Sequence, residues 1–186
     1  MQFLLVGLGV LAAVAILSYL WLNKAVVTGI RVVNPEGGAG TALVVYHPGR
    51  FGFGQRVRTA FIEGLVSNGW RVEVTTASSR APTDLSTYDL LVVSGPTYWF
   101  TPSRPMLSYL KRLRDAGGKP VVAILTAIGA GERSNGILQK AVQAANGELV
   151  ASLLLYTVRP NEDLYGINDA EEIASSAAKE LRLPAS

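Results

Sequence analysis

Residues 88–102 read YDLLVVSGPTYWFTP, and this stretch decides the fold class. Its first half is a short run of leucine and valine, which is typical of a strand buried on both faces of a parallel sheet. The second half changes at once to glycine, proline and aromatic residues, which is the composition of a loop. Ligands of open parallel sheets bind outside the carboxyl ends of the strands. The stretch therefore predicts an α/β domain with a site at that edge.

The same alternation of strand and helix continues on both sides of this stretch. The predicted strands are residues 41–46, 70–76, 88–94, 119–126 and 148–158. The segments between them have helical spacing of apolar residues, and several end at glycine, as helices commonly do. This alternation is the signature of βαβ units, so five parallel strands are expected. In the last helix, Asn168 is the expected N-cap, with Glu171 completing a capping box.

The N-terminal part of the chain has a different composition. Residues 3–22, which begin at Phe3 and end at Leu22, contain no charge, and a bilayer core needs about 20 apolar helical residues. We therefore expect residues 1–24 to be a transmembrane anchor in contact with the lipid bilayer, residues 25–40 a linker, and residues 41–186 the folded domain. Lys24 and Arg31 follow the run, which predicts a single-pass protein of the inner or plasma membrane with a cytoplasmic domain. A cleaved signal peptide is the alternative, but no basic residue precedes the run.

Composition excludes several classes of function. The chain has 17 Lys and Arg against 14 Asp and Glu, a net charge of +3, and no cysteine. It has no arginine-rich stripe or nucleic-acid motif, so no nucleic-acid partner is expected. The absence of cysteine excludes disulfides and thiolate chemistry. No cluster of His and carboxylates has ligand spacing, and no metal site is expected.

Three loops follow predicted strands and carry the candidate chemistry. Residues 47–55 read HPGRFGFGQ, residues 94–102 read SGPTYWFTP, and residues 126–133 read TAIGAGER. The glycines of the first loop permit tight turns, and its amides would lie at a helix N-terminus, where an anion can be held.

The chain resembles the flavodoxin-like family, which includes flavodoxins and flavin-dependent quinone or nitro reductases, over residues 41–183. The resemblance is carried by Gly95-Pro96-Thr97-Tyr98-Trp99, by the strand before it, and by the loop at residues 126–131. It implies a three-layer sandwich around a five-stranded parallel sheet of order 2-1-3-4-5, with FMN as cofactor. Together with the expected anchor, the resemblance implies a membrane-anchored protein that works in electron transfer or in reduction of a quinone or other substrate, with a redox protein or a quinone as partner.

The resemblance also implies which residues bind FMN. Its phosphate would lie on the first loop, and its ring between the other two loops. The implied set is Gly49, Arg50, Phe51, Gly52, Phe53, Gly54, Gln55, Pro96, Thr97, Tyr98, Trp99, Phe100, Thr126, Ala127, Ile128, Gly129, Gly131 and Glu132. No catalytic residue is assigned, because neither a catalytic triad nor a nucleophile elbow is present.

The first loop departs from the family pattern. That pattern has a T-G-x-T core whose hydroxyls bind phosphate, and here only Gly52 matches, while Phe51, Phe53 and Gly54 occupy the hydroxyl-bearing positions. Arg50 would replace the lost donors with a charge-assisted contact. The alternative hypothesis is a flavin-free module that acts as a membrane docking or assembly subunit.

Several side chains have two interpretations. The single histidine, His47, is expected to pack or cap rather than catalyse. The aromatic residues 98–100 stack on a flavin or cover the end of the sheet. Glu132 contacts the ring or caps the helix that follows it. Arg56 and Arg58 are expected on the solvated face of the first domain helix.

Overall fold

The computed structural model describes residues 2–161 and 168–183, and these form a mostly parallel sheet between two layers of helices. The strands are β1 (Arg31–Val33), β2 (Thr41–Tyr46), β3 (Arg71–Thr76), β4 (Leu90–Tyr98), β5 (Thr101–Pro102), β6 (Pro120–Ala127) and β7 (Glu148–Tyr156). The order is β1-β3-β2-β4-β6-β7, and β5 pairs with β4. Strands β2, β3, β4, β6 and β7 are parallel to their neighbours among these five.

The sheet of the described residues has seven strands, whereas the sequence predicts five. The two additional strands are short and antiparallel: β1 pairs with β3, and β5 pairs with the end of β4. Strand β1 lies in the segment expected to be a flexible linker, so part of that segment belongs to the sheet.

The helices are α1 (Gln2–Leu22), α2 (Phe53–Ser67), α3 (Arg104–Leu113), α4 (Glu132–Ala144) and α5 (Ala170–Lys179). Helices α3 and α4 share one buried cluster with one face of the sheet. Helices α2 and α5 share a second cluster with the other face. Gly64 allows α2 and α5 to pack closely, because a Cβ at this position would be 2.6 Å from the Ser175 carbonyl oxygen. The three layers follow from strands that bury apolar side chains on both faces.

Helix α5 is capped one residue later than the sequence predicts. The Asp169 side chain accepts hydrogen bonds from the amides of Glu171 and Glu172, at 2.8 and 2.9 Å. Asn168 is therefore not the N-cap. Asn and Asp are almost equally good caps and are adjacent here, so composition alone does not separate them.

The expected membrane anchor is not supported. Within the described parts of the chain, no helix is both long and apolar enough to cross a membrane, so the predicted single-pass inner or plasma membrane localisation is wrong. That prediction rests on the uncharged run and on the basic residues that follow it. It takes no account of the domain contacts made where α1 ends, where Arg50 Nη2 donates to the Trp21 carbonyl oxygen at 2.7 Å.

The segment that links α1 to β1 is bonded to the domain along its length. We call residues 18–33 the strap. The Asn23 side-chain oxygen accepts from the Arg104 amide at 2.8 Å, which caps α3 from outside. His47 Nε2 lies 3.2 Å from the Lys24 carbonyl oxygen, and the Thr28 amide donates to the Thr76 hydroxyl at 3.0 Å. The strap therefore runs along the carboxyl edge of the sheet and ends in β1.

Candidate functional site

A cavity of about 510 Å³ opens at the carboxyl ends of β2, β4 and β6. This is the point where the strand order reverses, because the chain passes from β2 to β3 on one side and then to β4 on the other. Open α/β sheets bind ligands at such switch points. The lining residues are Ser18, Trp21, Leu22, Gly49, Arg50, Phe51, Phe53, Gly54, Pro96, Thr97, Tyr98, Trp99, Thr126, Ala127, Ile128 and Thr157.

Most of the residues that the resemblance implies for FMN line this one cavity, and all three loops contribute. The implied residues that do not line it are Gly52, Gln55, Phe100, Gly129, Gly131 and Glu132. The strap adds Ser18, Trp21 and Leu22, and the segment after β7 adds Thr157. Sequence reasoning misses these four, because the apolar run has the composition of an anchor and Thr157 falls inside a predicted strand.

The first loop is open rather than filled by its own rings. Gly52 has φ 70°, a left-handed conformation that favours glycine, and α2 begins at the next residue. The Phe51 ring is 78% exposed. The Gly54 amide, in the first turn of α2, has no hydrogen-bond acceptor among the described residues. A Cβ at Gly54 would lie 3.2 Å from the Thr126 hydroxyl oxygen, so glycine also keeps this wall clear.

Arg50 is the one charged side chain among the residues that line the cavity. Its guanidinium lies 4.3 Å from the centre of the Trp21 ring. One terminal nitrogen donates to the Trp21 carbonyl oxygen, while Nε is buried without a partner. Buried donors are nearly always paired, so the unpaired Nε leaves hydrogen-bonding capacity of Arg50 unused.

The hairpin of β4 and β5 forms the opposite wall and is strained at its tip. Trp99 and Phe100 form the two-residue turn with φ of 51° and 60°, and their side chains are 58% and 60% exposed. Left-handed conformations cost non-glycine residues about 1–2 kcal/mol each. Trp99 lines the cavity, whereas Phe100 does not. The turn therefore holds one aromatic side chain at the cavity at an energetic cost.

Tyr98 belongs to the hairpin wall, and His47 packs against it. Tyr98 has an unpaired buried hydroxyl, and burial raises its pKa, with the Arg50 charge opposing the shift. His47 is buried, its ring meets the Tyr98 ring edge-on at 6.3 Å, and burial lowers its pKa. These contacts favour a packing role for His47, which also bonds the strap.

The loop after β6 is fixed by the end of β7. The amides of Thr157 and Val158 donate to the carbonyl oxygens of Ala127 and Ile128, at 3.0 and 3.1 Å. This leaves Ile128 at the mouth of the cavity, 66% exposed.

Glu132 is bonded outside the cavity. Its carboxylate accepts from the Tyr156 hydroxyl at 2.8 Å and pairs with Arg159 at 3.0 Å. The backbone amide of Glu132 and the Tyr156 hydroxyl lower the pKa of this carboxyl to about 2, and burial together with Glu132 raises the pKa of Tyr156 to about 12. The carboxylate therefore tethers the start of α4 to the end of β7.

Metal chemistry has no candidate site in the described part of the chain, where no group of three or more metal-ligating His, Asp or Glu side chains occurs. The cavity instead combines apolar walls, one guanidinium, one free amide and a planar aromatic side chain. Such a set can hold a flat ring that carries an anionic group.

Comparison with known proteins supports the fold. No protein-family model and no curated protein matches the chain. Among solved structures, flavodoxin 2 of Bacillus cereus superposes with a TM-score of 0.61 at 18% identity, covering 74% of this chain and 94% of that one. A flavodoxin from the domain Archaea gives 0.58 at 15% identity, covering 75% and 94%. The NAD(P)H:quinone oxidoreductase from Methanothermobacter marburgensis gives 0.52 at 17% identity, covering 80% and 100%.

Proposed function

We propose that this chain, whose fold is that of the flavodoxins, binds FMN in the cavity and works in electron transfer or quinone reduction. The observation that carries the proposal is the pairing of two features across one cavity. Trp99 and Arg50 both line the cavity, and the Nε of Arg50 has no hydrogen-bond partner. Trp99 can stack on a flavin ring, and the Arg50 guanidinium can donate hydrogen bonds to a phosphate.

The residues present fit the cofactor. The Arg50 guanidinium and the Gly54 amide would hold the phosphate, in place of the hydroxyls that the first loop lacks. Trp99 would cover the ring, and the loop at residues 126–128 would border its other edge. FMN, when bound, supplies the redox chemistry, and the protein positions it and excludes water.

The rim of the cavity favours a quinone over a charged acceptor. Phe51, Trp99 and Ile128 line the cavity and are more than half exposed. A flat apolar molecule gains free energy by covering such side chains, whereas a charged one does not.

The test is a titration of the purified chain with FMN and with riboflavin, followed by flavin absorbance and fluorescence. We expect saturable binding of both, with FMN bound more tightly because riboflavin lacks the phosphate. Two matched pairs of variants make the test specific. Trp99→Ala and Arg50→Gln change cavity residues, while Phe100→Ala and Arg56→Gln change neighbours that do not line the cavity. Binding that is absent, or that responds equally to both members of a pair, contradicts the proposal.

A flavin-free docking or assembly subunit remains the second candidate function. It is favoured by the first loop, where phenylalanine and glycine stand at the positions of phosphate-binding hydroxyls. This candidate predicts no flavin binding and no effect of Arg50→Gln on function. The same titration therefore separates the two.

A further inference from the structure

A second groove lies beside helix α2, and no residue lines both it and the cavity. It measures about 320 Å³ and runs between α2, the ends of β2 and β3, and the strap. Its lining consists of Thr28, Gly29, Arg31, Tyr46, Gln55, Arg58, Thr59, Ile62 and Val74. Two guanidiniums and several hydrogen-bonding side chains are present in it, and no carboxylate is.

The helix contributes a regular row of side chains to this groove. Gln55, Arg58, Thr59 and Ile62 occupy positions i, i+3, i+4 and i+7 of α2, which share one face. The start of α2 at Phe53 explains why Gln55 belongs here and not to the cavity, since successive helix residues are about 100° apart around the axis.

The sheet contributes the opposite side. Arg31 pairs with Val74 across the antiparallel β1–β3 ladder, and opposed residues project from the same face of a sheet. The strap is fixed next to it, because the Thr28 amide and hydroxyl both contact the Thr76 hydroxyl, at 3.0 and 3.2 Å. The two arginines are therefore presented from separate, ordered elements.

Arg58 differs from the neighbouring arginines in its partners. Arg56 pairs with Glu171 at 2.6 Å, and Arg71 pairs with Glu73 at 3.0 Å. Arg58 has no ion pair among the described residues; it lies 3.7 Å from the centre of the Tyr46 ring and makes a long bond of 3.5 Å to the Gly54 carbonyl oxygen. Burial lowers the pKa of Arg58; Tyr46 opposes this shift, and the charge of Arg31 adds to it. A partly desolvated cation beside a second cation is unfavourable until an anion joins them.

We propose that the groove is a phosphate-binding site, in which the guanidiniums of Arg31 and Arg58 hold the anion. A planar guanidinium matches phosphate oxygens in pairs, which an ammonium group does not. Gln55 and Thr59 add hydrogen-bond donors to the groove. The site is independent of the proposed flavin function, since the cavity has its own arginine.

The test is isothermal titration of the chain with inorganic phosphate and with phenyl phosphate at constant ionic strength. We expect Arg31→Gln and Arg58→Gln each to weaken binding about 10-fold or more. Arg58→Lys keeps the positive charge but loses the planar arrangement of N–H donors, so it should also weaken phosphate binding. Arg56→Gln and Arg80→Gln serve as controls outside the groove, and thermal melts show that each variant is folded.

The outcomes separate this site from the cavity and identify the ligand. Tighter binding of phenyl phosphate indicates an ester, and equal binding of both probes indicates free phosphate; either supports the site. Binding that survives Arg31→Gln and Arg58→Gln but is lost in Arg50→Gln belongs to the cavity, and it overturns the proposal. Absence of binding by the unmodified chain at millimolar phosphate also overturns it.

Discussion

The two walls of the cavity are built in different ways. The hairpin wall contains Pro96, Tyr98 and Trp99, and it keeps the sequence pattern that produced the resemblance to flavodoxins. The first-loop wall lacks the hydroxyls of that pattern, and its charge, on Arg50, is held by the strap through the Trp21 carbonyl. The wall proposed to bind the flavin ring is thus conventional, while the wall proposed to bind the phosphate depends on a segment outside the conventional domain.

The largest expected effect comes from the first-loop wall. Arg50→Gln should weaken FMN binding about 10- to 100-fold, because a hydrogen bond to a charged group contributes roughly 1.5–3 kcal/mol. Riboflavin affinity should stay unchanged. Fluorescence titrations with both ligands measure this, with Arg56→Gln as control. Equal losses for the two ligands would mean that Arg50 shapes the wall without binding phosphate.

Substitutions in the hairpin wall should weaken flavin binding less than Arg50→Gln does, and they should weaken the binding of FMN and riboflavin equally. Trp99→Ala should weaken FMN and riboflavin alike, by roughly 2- to 12-fold, since aromatic stacking contributes about 0.5–1.5 kcal/mol. Phe100→Ala, its neighbour in the same turn, should leave both affinities unchanged. If Phe100→Ala has the larger effect, then Phe100 and not Trp99 is the side chain that contacts the ring.

Strain in the turn gives a third difference between the walls. Phe100→Gly should raise the free energy of unfolding by up to about 1 kcal/mol, because glycine adopts positive φ without the penalty of a side chain. Trp99→Gly should show a similar gain while losing flavin affinity. Urea unfolding measures the first effect, and a loss of stability in Phe100→Gly would show that the turn is not strained.

The smallest expected effect concerns the attachment of the strap. Burial lowers the pKa of His47 below its usual value of 6.5, so the folded state favours the neutral ring. The stability this provides is present above pH 6.5 and is lost as pH falls below it. Thermal melts between pH 5 and 8 should show this decline, and His47→Gln should flatten it. An equal decline in His47→Gln would assign the pH dependence to other groups.

Much of the domain follows from the sequence because its strands are buried on both faces. Residues 42–45, 90–93 and 121–125, within β2, β4 and β6, are continuously apolar, and each run is followed by a segment that contains glycine or proline. The loops that line the cavity can therefore be located from the amino-acid pattern alone. The short strands β1 and β5 cannot be located in this way, because two or three residues are too few to show a pattern of apolar residues.

The incorrect predictions have a common physical origin. Local pattern shows that a segment is apolar, but it does not show what the segment contacts. Residues 3–22 have no charge and no amphipathic period, so nothing in them indicates that Trp21 lies against Arg50. The sequence also does not show that Gln55 lies beside the cavity and not in its lining, because the position of the helix start decides which face it occupies.

In the proposed function the cavity holds a flavin, with Trp99 at its ring and Arg50 at its phosphate. The most direct measurement is the fluorescence of FMN titrated with the purified chain, compared with Trp99→Ala and Phe100→Ala. We expect saturable quenching of the FMN fluorescence, with an affinity that falls in Trp99→Ala and not in Phe100→Ala. Fluorescence that stays constant with the unmodified chain, or quenching that is the same in all three proteins, would contradict it.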